Sequence, residues 1–184
     1  RKKKGIFRKK PQEVRAIVVK EGSRDIINEA FRVLRTNLEF MTGKDKASNV
    51  IIVTSFNPGS GKSFLTMNIA VSFAIKGKKV LVIDGDLRHG SASSYIDSPT
   101  KGLSDYLGGR IDNLNEIIVT NPKQKYLDIL PVGTIPPNPT ELLFDDRLKQ
   151  VIDTVREQYE YVLIDCPPIE LVADTDRKST RLNS

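Results

Sequence analysis

The residues with the clearest chemical potential form one glycine-rich segment, Asn57-Pro58-Gly59-Ser60-Gly61-Lys62-Ser63. The segment lies between a run that predicts a buried strand and a pattern that predicts a helix. In such a turn the glycines let successive amide groups point at phosphate oxygens, and the helix start adds its positive dipole end. We expect Lys62 to reach the β- and γ-phosphates of a nucleotide and the Ser63 hydroxyl to bind Mg²⁺. The predicted phosphate-binding residues are Pro58, Gly59, Ser60, Gly61, Lys62, Ser63 and Phe64.

The match to the standard phosphate-loop pattern, G-x-x-x-x-G-K-[ST], is incomplete. The first glycine of that pattern would fall at position 56, where this chain has Phe56. An ordinary glycine-rich turn is the alternative interpretation. The strand before the segment and the helix after it favour phosphate binding.

Two further motifs place carboxylates at the ends of predicted strands. Asp84 and Asp86 follow the apolar run 80–83, and Asp165 follows the apolar run 162–164. Because the carboxyl ends of parallel strands face the ligand crevice of such a sheet, we expect all three carboxylates near the phosphate loop. Carboxylates at this edge can hold Mg²⁺, directly or through water, or take a proton from a nucleophile. For Asp84 and Asp86, the alternative interpretation is a solvated turn.

The neighbours of these carboxylates receive weaker predictions. Pro167 and Pro168 fix the exit of the chain from the strand that ends at Asp165. Cys166, between Asp165 and Pro167, is predicted to be a small buried filler rather than a reactive thiol. Arg88 is predicted to support the loop or the phosphates, and His89 is predicted to be an ordinary surface histidine.

The composition excludes several classes of site. The 184 residues include one cysteine and one histidine, which excludes an internal disulfide scaffold and a multi-cysteine zinc site. Residues 1–10 carry seven of the 29 basic residues, whereas residues 11–175 carry 19 basic and 22 acidic residues. The formal net charge of +6 therefore belongs to the ends of the chain, so we predict no nucleic-acid partner.

The remaining sequence alternates short apolar runs with helical patterns. This alternation predicts an α/β fold, a parallel sheet with helices on both faces. Ser23 or Asp25 is suited to cap the first helix, and Gly43 follows its end. The predicted strands are 49–55, 79–84, 126–132 and 160–165. The predicted helices are 25–41, 63–76 and 140–158, the last after a proline-rich loop at 135–139, with one or two short helices in 102–118.

Together these motifs resemble the bacterial tyrosine kinases, or BY-kinases, P-loop autokinases that control capsule and exopolysaccharide export. The phosphate loop of that family typically carries Pro-Gly, as at Pro58-Gly59, in place of the first glycine. The related partition and cell-division ATPases usually have a signature lysine at the position of Asn57. The blocks I-D-x-D-x-R at 83–88 and I-D-x-P-P at 164–168 also match.

The resemblance implies an activity and roles for the site residues. It implies a P-loop NTPase-like fold and transfer of the γ-phosphoryl group of Mg·ATP to tyrosine hydroxyls of a neighbouring subunit. Lys62 would neutralise phosphate charge, and Ser63, Asp86 and Asp165 would serve the metal. Asp84 is the candidate base, although the division of roles between Asp84 and Asp86 stays open. The alternatives are a partition-type ATPase and a non-catalytic nucleotide-binding scaffold.

A fourth motif of the family, E-x-x-R-x-x-R, falls at Glu29, Arg32 and Arg35 on the first predicted helix. In the family this motif joins subunits into a ring, an octamer, so these residues are the predicted oligomerisation site. Pairing within the helix is the alternative. The family also implies a transmembrane activator domain or protein and a cognate tyrosine phosphatase as partners.

The two ends of the chain receive separate predictions. Residues 1–22 are predicted to be a basic juxtamembrane arm that attracts anionic lipid at the cytoplasmic face of the bacterial inner membrane. A solvated disordered arm is the alternative. Residues 23–175 are predicted to be the kinase domain, with its C-terminal part missing. Residues 176–184 look like a translated sequencing adapter, so we expect a non-native tail. The family's tyrosine-rich acceptor segment is expected beyond residue 175, because the five tyrosines present read as packing residues.

Overall fold

The computed structural model describes residues 16–43, 49–143 and 146–169. These residues form five strands and five α-helices, with two 3-10 turns, Ser93–Ile96 and Leu114–Glu116. The strands are β1 (Val50–Val53), β2 (Val80–Asp84), β3 (Val119–Thr120), β4 (Leu127–Leu130) and β5 (Tyr161–Asp165). The helices are α1 (Ile26–Thr42), α2 (Lys62–Ile75), α3 (Leu103–Leu107), α4 (Pro139–Leu143) and α5 (Asp146–Arg156).

The five strands form one sheet in the order β1-β5-β2-β4-β3. The four predicted strands are confirmed with slightly shorter bounds, and they pair in parallel. The predicted parallel sheet is confirmed, and it carries one additional edge strand, β3, which pairs with β4 in the antiparallel direction. Only two residues form β3, too few for any periodicity to predict the strand.

The register of the sheet brings the predicted carboxylates to one edge. Asp165 at the end of β5 lies opposite Asp84 at the end of β2 and opposite Val53 at the end of β1. The glycine-rich segment 57–63 begins just beyond β1. The carboxyl ends of three adjacent strands therefore position the loop and both strand-terminal carboxylates.

The helices follow the sequence pattern closely at their N-termini. Asp25 caps α1, and its carboxylate accepts a hydrogen bond from the Asn28 amide at 2.9 Å. The predicted helix 140–158 corresponds to α4 and α5, with residues 144 and 145 outside the described residues. The prediction of one or two short helices in 102–118 is confirmed by α3 and the 3-10 turn at Leu114–Glu116.

Buried side chains cover both faces of the sheet, as the predicted fold class requires. One cluster lies between the sheet and helices α1 and α2, and includes Met67, Phe73 and Leu163. The other lies on the opposite face and includes Leu81 and Val151. Phe73 of α2 has no exposed surface and stacks on Tyr161 of β5 with ring centroids 4.0 Å apart. This contact links the helix that follows the phosphate loop to the strand that ends at Asp165.

Part of the predicted basic arm is described by the structure. The amides of Val18 and Val19 donate to the Asn68 side-chain oxygen at 2.8 and 3.2 Å, so this stretch lies against α2. Residues 1–15 and the predicted tail 176–184 lie outside the described residues. Within the described ranges, no helix combines the length and the hydropathy that crossing a membrane requires.

Candidate active site

The glycine-rich segment is a strand-to-helix turn, as predicted. Gly59 and Gly61 have φ angles of +72° and +87°, a conformation that side chains other than glycine rarely adopt. Lys62 immediately begins α2, and the Leu65 amide donates to the Gly61 carbonyl at 2.9 Å. The amides of this turn and the N-terminus of α2 are suited to binding an anion.

The Lys62 ammonium lies between two carboxylates from different strands. Its Nζ is 3.3 Å from Asp86 Oδ2 and 3.2 Å from Asp165 Oδ1. All three side chains are at least nine-tenths buried. Burial alone would lower the pKa of Lys62, but the charges and hydrogen bonds of Asp165 and Asp86 outweigh it and raise that pKa. Lys62 is therefore a fixed cation at the mouth of the loop.

Asp165 has an oxygen suited to a further ligand. Its side chain is fully buried, and Oδ2 has no hydrogen-bond partner among the described residues. Burial raises the pKa of this carboxyl, against the lowering effects of Ser63 and Lys62. The lack of a side chain at Gly85 lets the chain after β2 approach the end of β5 closely. A Cβ at this position would lie 3.1 Å from the Asp165 carbonyl oxygen. A buried, unpaired carboxylate oxygen needs a water or a cation as its partner.

Asp84 and Asp86 differ in their access to the site. Asp86 lines the cavity beside the phosphate loop, whereas Asp84 has no exposed surface. Asp84 Oδ2 accepts hydrogen bonds from the amide and the hydroxyl of Ser93, both at 2.6 Å. Burial raises the pKa of Asp84 to about 7, against the lowering effect of the Ser93 hydrogen bonds. The structure therefore brings Lys62, Asp86 and Asp165 together and leaves Asp84 behind them.

The cavity beside the loop has a volume of about 420 Å³. Residues 58–64 form one side of it, and residues that the sequence analysis did not select form part of the other. His89 is among these, with Nδ1 3.1 Å from Asp86 Oδ1. The signal for three of them was their position soon after the Asp84-x-Asp86 pair, and the signal for the fourth, Pro168, was its place in the I-D-x-P-P block. The lining residues not predicted are His89, Ser91, Tyr95 and Pro168.

Cys166 and Arg88 lie at the margins of this site. Burial first, and the nearby Asp165 charge next, raise the pKa of the half-buried Cys166 thiol to about 11. The thiol therefore stays protonated near neutral pH, which supports its interpretation as a filler. Arg88 is exposed and borders a small cavity that it shares with Asp86 and Thr140.

The Glu29-Arg32-Arg35 motif does not form one exposed surface. Glu29 and Arg32 form an exposed ion pair at 2.8 Å on the same helix. Arg35 is buried, and its Nη1 donates to the carbonyl and the hydroxyl of Ser72 at 3.1 and 3.3 Å. Arg35 therefore joins α1 to α2 within the chain, and only Glu29 and Arg32 are open to another molecule.

Residues 48–175 match a protein family described as "AAA domain". The chain is 42% identical, over 148 residues, to a putative tyrosine-protein kinase, EpsB, of Ralstonia solanacearum. That match covers 80% of this chain and 19% of EpsB. The chain therefore spans about a fifth of the length of this relative.

Two solved structures place the fold among P-loop proteins. The kinase domain of the Escherichia coli tyrosine kinase ETK aligns with a TM-score of 0.74 and 38% identity, covering 79% of this chain and 56% of that one. The septum site-determining protein MinD of Pyrococcus horikoshii, complexed with Mg-ADP, aligns with a TM-score of 0.57 and 30% identity. That second match covers 65% of this chain and 49% of MinD. The kinase domain is thus the nearer of the two.

Proposed function

Because this chain belongs to the bacterial tyrosine kinases, we propose that it transfers the γ-phosphoryl group of ATP to tyrosine in the control of capsule and exopolysaccharide synthesis. One observation carries the proposal. Lys62, the first residue after a glycine-rich loop, holds its ammonium between Asp86 and Asp165 beside a cavity large enough for the phosphates. In phosphoryl transfer the protein's task is almost entirely positioning and charge neutralisation, and this arrangement offers both.

The phosphate groups would bind the turn formed by residues 58–63. Its backbone amides and the N-terminus of α2 provide donors in fixed positions, so little reorganisation is needed when negative charge develops. The Lys62 ammonium, held in place by Asp86 and Asp165, would neutralise charge on the transferring group. Binding the nucleotide would then exchange carboxylate partners of Lys62 for phosphate oxygens.

The donors around Lys62 also fit Mg²⁺. Asp165 Oδ2 is buried without a hydrogen-bond partner among the described residues, and Asp86 and Ser63 line the adjacent cavity or contact Asp165. Mg²⁺ prefers oxygen ligands and commonly uses one or two carboxylates together with substrate phosphates. Bound there, the ion would supply charge neutralisation across the β- and γ-phosphates. Magnesium with ADP is present in the related MinD structure, which supports this assignment.

The two carboxylates after β2 would have different tasks. Asp86 faces the cavity and is suited to the metal and the phosphates. The Asp84 carboxylate is closed off by Ser93, so it reaches a tyrosine hydroxyl only if Ser93 releases it. We therefore propose that, in the nucleotide-free chain, Asp84 anchors the segment that follows β2. Proton acceptance by Asp84, the role that the family resemblance implies, would require these hydrogen bonds to break first.

A partition-type ATPase is the second candidate, because MinD shares the fold. The two functions differ in where the γ-phosphate goes, to a tyrosine or to water. Asn57 stands where those ATPases usually carry a lysine, which favours the kinase.

The fate of the γ-phosphate tests the proposal. We expect the full chain, incubated with Mg·ATP labelled at the γ-phosphate and a tyrosine-containing peptide, to transfer label to tyrosine. Phosphoamino-acid analysis measures phosphotyrosine, and free phosphate is measured in the same reaction. Label released only as free phosphate would favour the ATPase, and no turnover of either kind would favour the non-catalytic scaffold.

We also propose that Glu29 and Arg32 contribute to contacts between subunits. Replacing both by alanine is expected to lower the oligomeric state of the full chain, because an exposed charged pair on α1 would lose its partners in a neighbouring subunit. Light scattering measures the change. Arg35 is left intact because it holds α1 to α2.

A matched control is the pair Asp153 and Arg156, also three residues apart on a helix. Their replacement by alanine is expected to leave the oligomer unchanged. Equal effects of the two double variants, or no effect of the first, would contradict the role of Glu29 and Arg32.

A further inference from the structure

Ser93 joins three parts of the chain behind the phosphate cavity. It is 3% exposed and begins the 3-10 turn Ser93–Ile96. Its amide and its hydroxyl donate to Asp84 Oδ2, each at 2.6 Å. Its hydroxyl oxygen accepts from the Val132 amide at 2.8 Å. One hydroxyl group thus connects the end of β2, the loop after β4 and the segment that returns to them.

Both ends of the segment between Asp84 and Ser93 are hydrogen-bonded to one group, the Asp84 carboxyl. Near its start, the Asp86 amide donates to Asp84 Oδ1 at 3.3 Å. At its end, Ser93 donates to Asp84 Oδ2. Between these two points lie three residues that line the phosphate cavity, Asp86, His89 and Ser91. Their position relative to Lys62 therefore depends on how firmly Asp84 is held.

Asp84 needs these partners because it is completely buried. A buried carboxylate without hydrogen bonds is costly, and Ser93 supplies two of the three hydrogen bonds found at Asp84. The Ser93 hydroxyl in turn satisfies the buried Val132 amide. Loss of the hydroxyl leaves both groups short of a partner, and the segment is free to adjust.

We propose that Ser93 is a positioning residue for phosphoryl transfer, which acts through Asp84 to fix the segment that carries Asp86 to the phosphate cavity. This inference rests on the proposed function. Misplacing a reacting or charge-bearing group by about 1 Å is enough to cost on the order of 100-fold in rate. The phosphate loop and Lys62 belong to other elements and form no hydrogen bond with Ser93 among the described residues.

The test is Ser93→Ala in the full chain. We expect kcat for tyrosine phosphorylation to fall by about 10-fold or more. The Kd for Mg·ADP is expected to rise by a smaller factor, because Lys62 and Asp165 belong to other elements and keep their places. Hydrogen exchange of the amides between residues 86 and 93 is expected to accelerate. This last measurement does not depend on activity.

Ser104→Ala is the matched control. Ser104 is also completely buried, and its hydroxyl donates to the Thr134 carbonyl rather than to Asp84. Its amide, which the substitution keeps, donates to the Val132 carbonyl. The Ser104→Ala substitution also removes one hydroxyl group, so it measures the general cost of losing a buried hydroxyl. We expect it to leave kcat and the exchange of residues 86–93 close to those of the unmodified chain.

A kcat for Ser93→Ala no lower than that for Ser104→Ala, or unchanged exchange in residues 86–93, would overturn the proposal. If Ser93→Ala does not fold, Ser93→Cys serves instead, because it keeps a similar size with a weaker donor. For that variant we expect a smaller loss of kcat, and an unmodified kcat would count against Ser93. If the unmodified chain itself forms no phosphotyrosine, the proposed function fails, and the exchange measurement still decides whether Ser93 anchors the segment.

Discussion

Lys62→Met is expected to lower tyrosine phosphorylation by about 1,000-fold or more, the scale for removing a preorganised charge from a phosphoryl-transfer site. Methionine preserves much of the length of the side chain but supplies no charge to the phosphates. The measurement is the initial rate of phosphotyrosine formation with saturating Mg·ATP. A rate within about tenfold of the unmodified chain would contradict the role assigned to Lys62.

The structure adds a pH signature to this substitution. Without the ammonium, the buried Asp165 loses the charge and the hydrogen bond of Lys62 that lower its pKa, so the pKa of Asp165 in the folded chain should rise further above its value in the unfolded chain. Between those pKa values the folded chain binds more protons than the unfolded chain, so stability falls as pH rises. We therefore expect the loss of stability in Lys62→Met to be larger at pH 8 than at pH 5.5.

Lys78→Met is the control for charge removal. Lys78 pairs with Glu160 at 3.0 Å, but both side chains are largely exposed, so the pair contributes little. Its replacement is expected to leave both the rate and the pH dependence of unfolding nearly unchanged. Equal effects at Lys62 and Lys78 would show that burial between two carboxylates has no special consequence.

Phe73→Ala is expected to lower the free energy of unfolding by about 3–5 kcal/mol. The Phe73 ring has no exposed surface and stacks on Tyr161, so truncation leaves a cavity between α2 and β5. Because these two elements carry Lys62 and Asp165, nucleotide binding should weaken as well. Denaturant unfolding measures the first effect, and calorimetry measures the second.

Phe56→Ala is the matched control, because Phe56 is 72% exposed. Its replacement is expected to change the free energy of unfolding by less than about 0.5 kcal/mol. A loss at Phe73 no larger than the loss at Phe56 would contradict the packing that links the phosphate loop to β5.

The sequence was sufficient to predict what depends on order along the chain. The apolar runs identified four parallel strands, and their shared carboxyl edge brought Lys62, Asp86 and Asp165 together. Glycines in a strand-to-helix turn predicted the loop, because only a positive φ at Gly59 and Gly61 makes that turn.

What the sequence could not supply depends on contacts between distant residues. Ser93 reaches Asp84 and Val132 through hydrogen bonds that no spacing along the chain predicts. Arg35 illustrates a second limit. At about 100° per residue, a position six residues after Glu29 lies about 120° around the helix from it, so Arg35 turns toward α2. The spacing of the motif therefore does not place all three of its charged residues on one face of the helix.

Titration of the chain with ADP, in Mg²⁺ and in EDTA, tests the central claim that Lys62, Asp86 and Asp165 form a magnesium–nucleotide phosphate site. We expect calorimetry to detect binding in Mg²⁺, and binding weaker by about tenfold or more in EDTA, the scale of one lost charge-assisted contact. Lys62→Met should weaken binding by at least as much in Mg²⁺. Affinity that is the same in EDTA and unaffected by Lys62→Met would contradict the account.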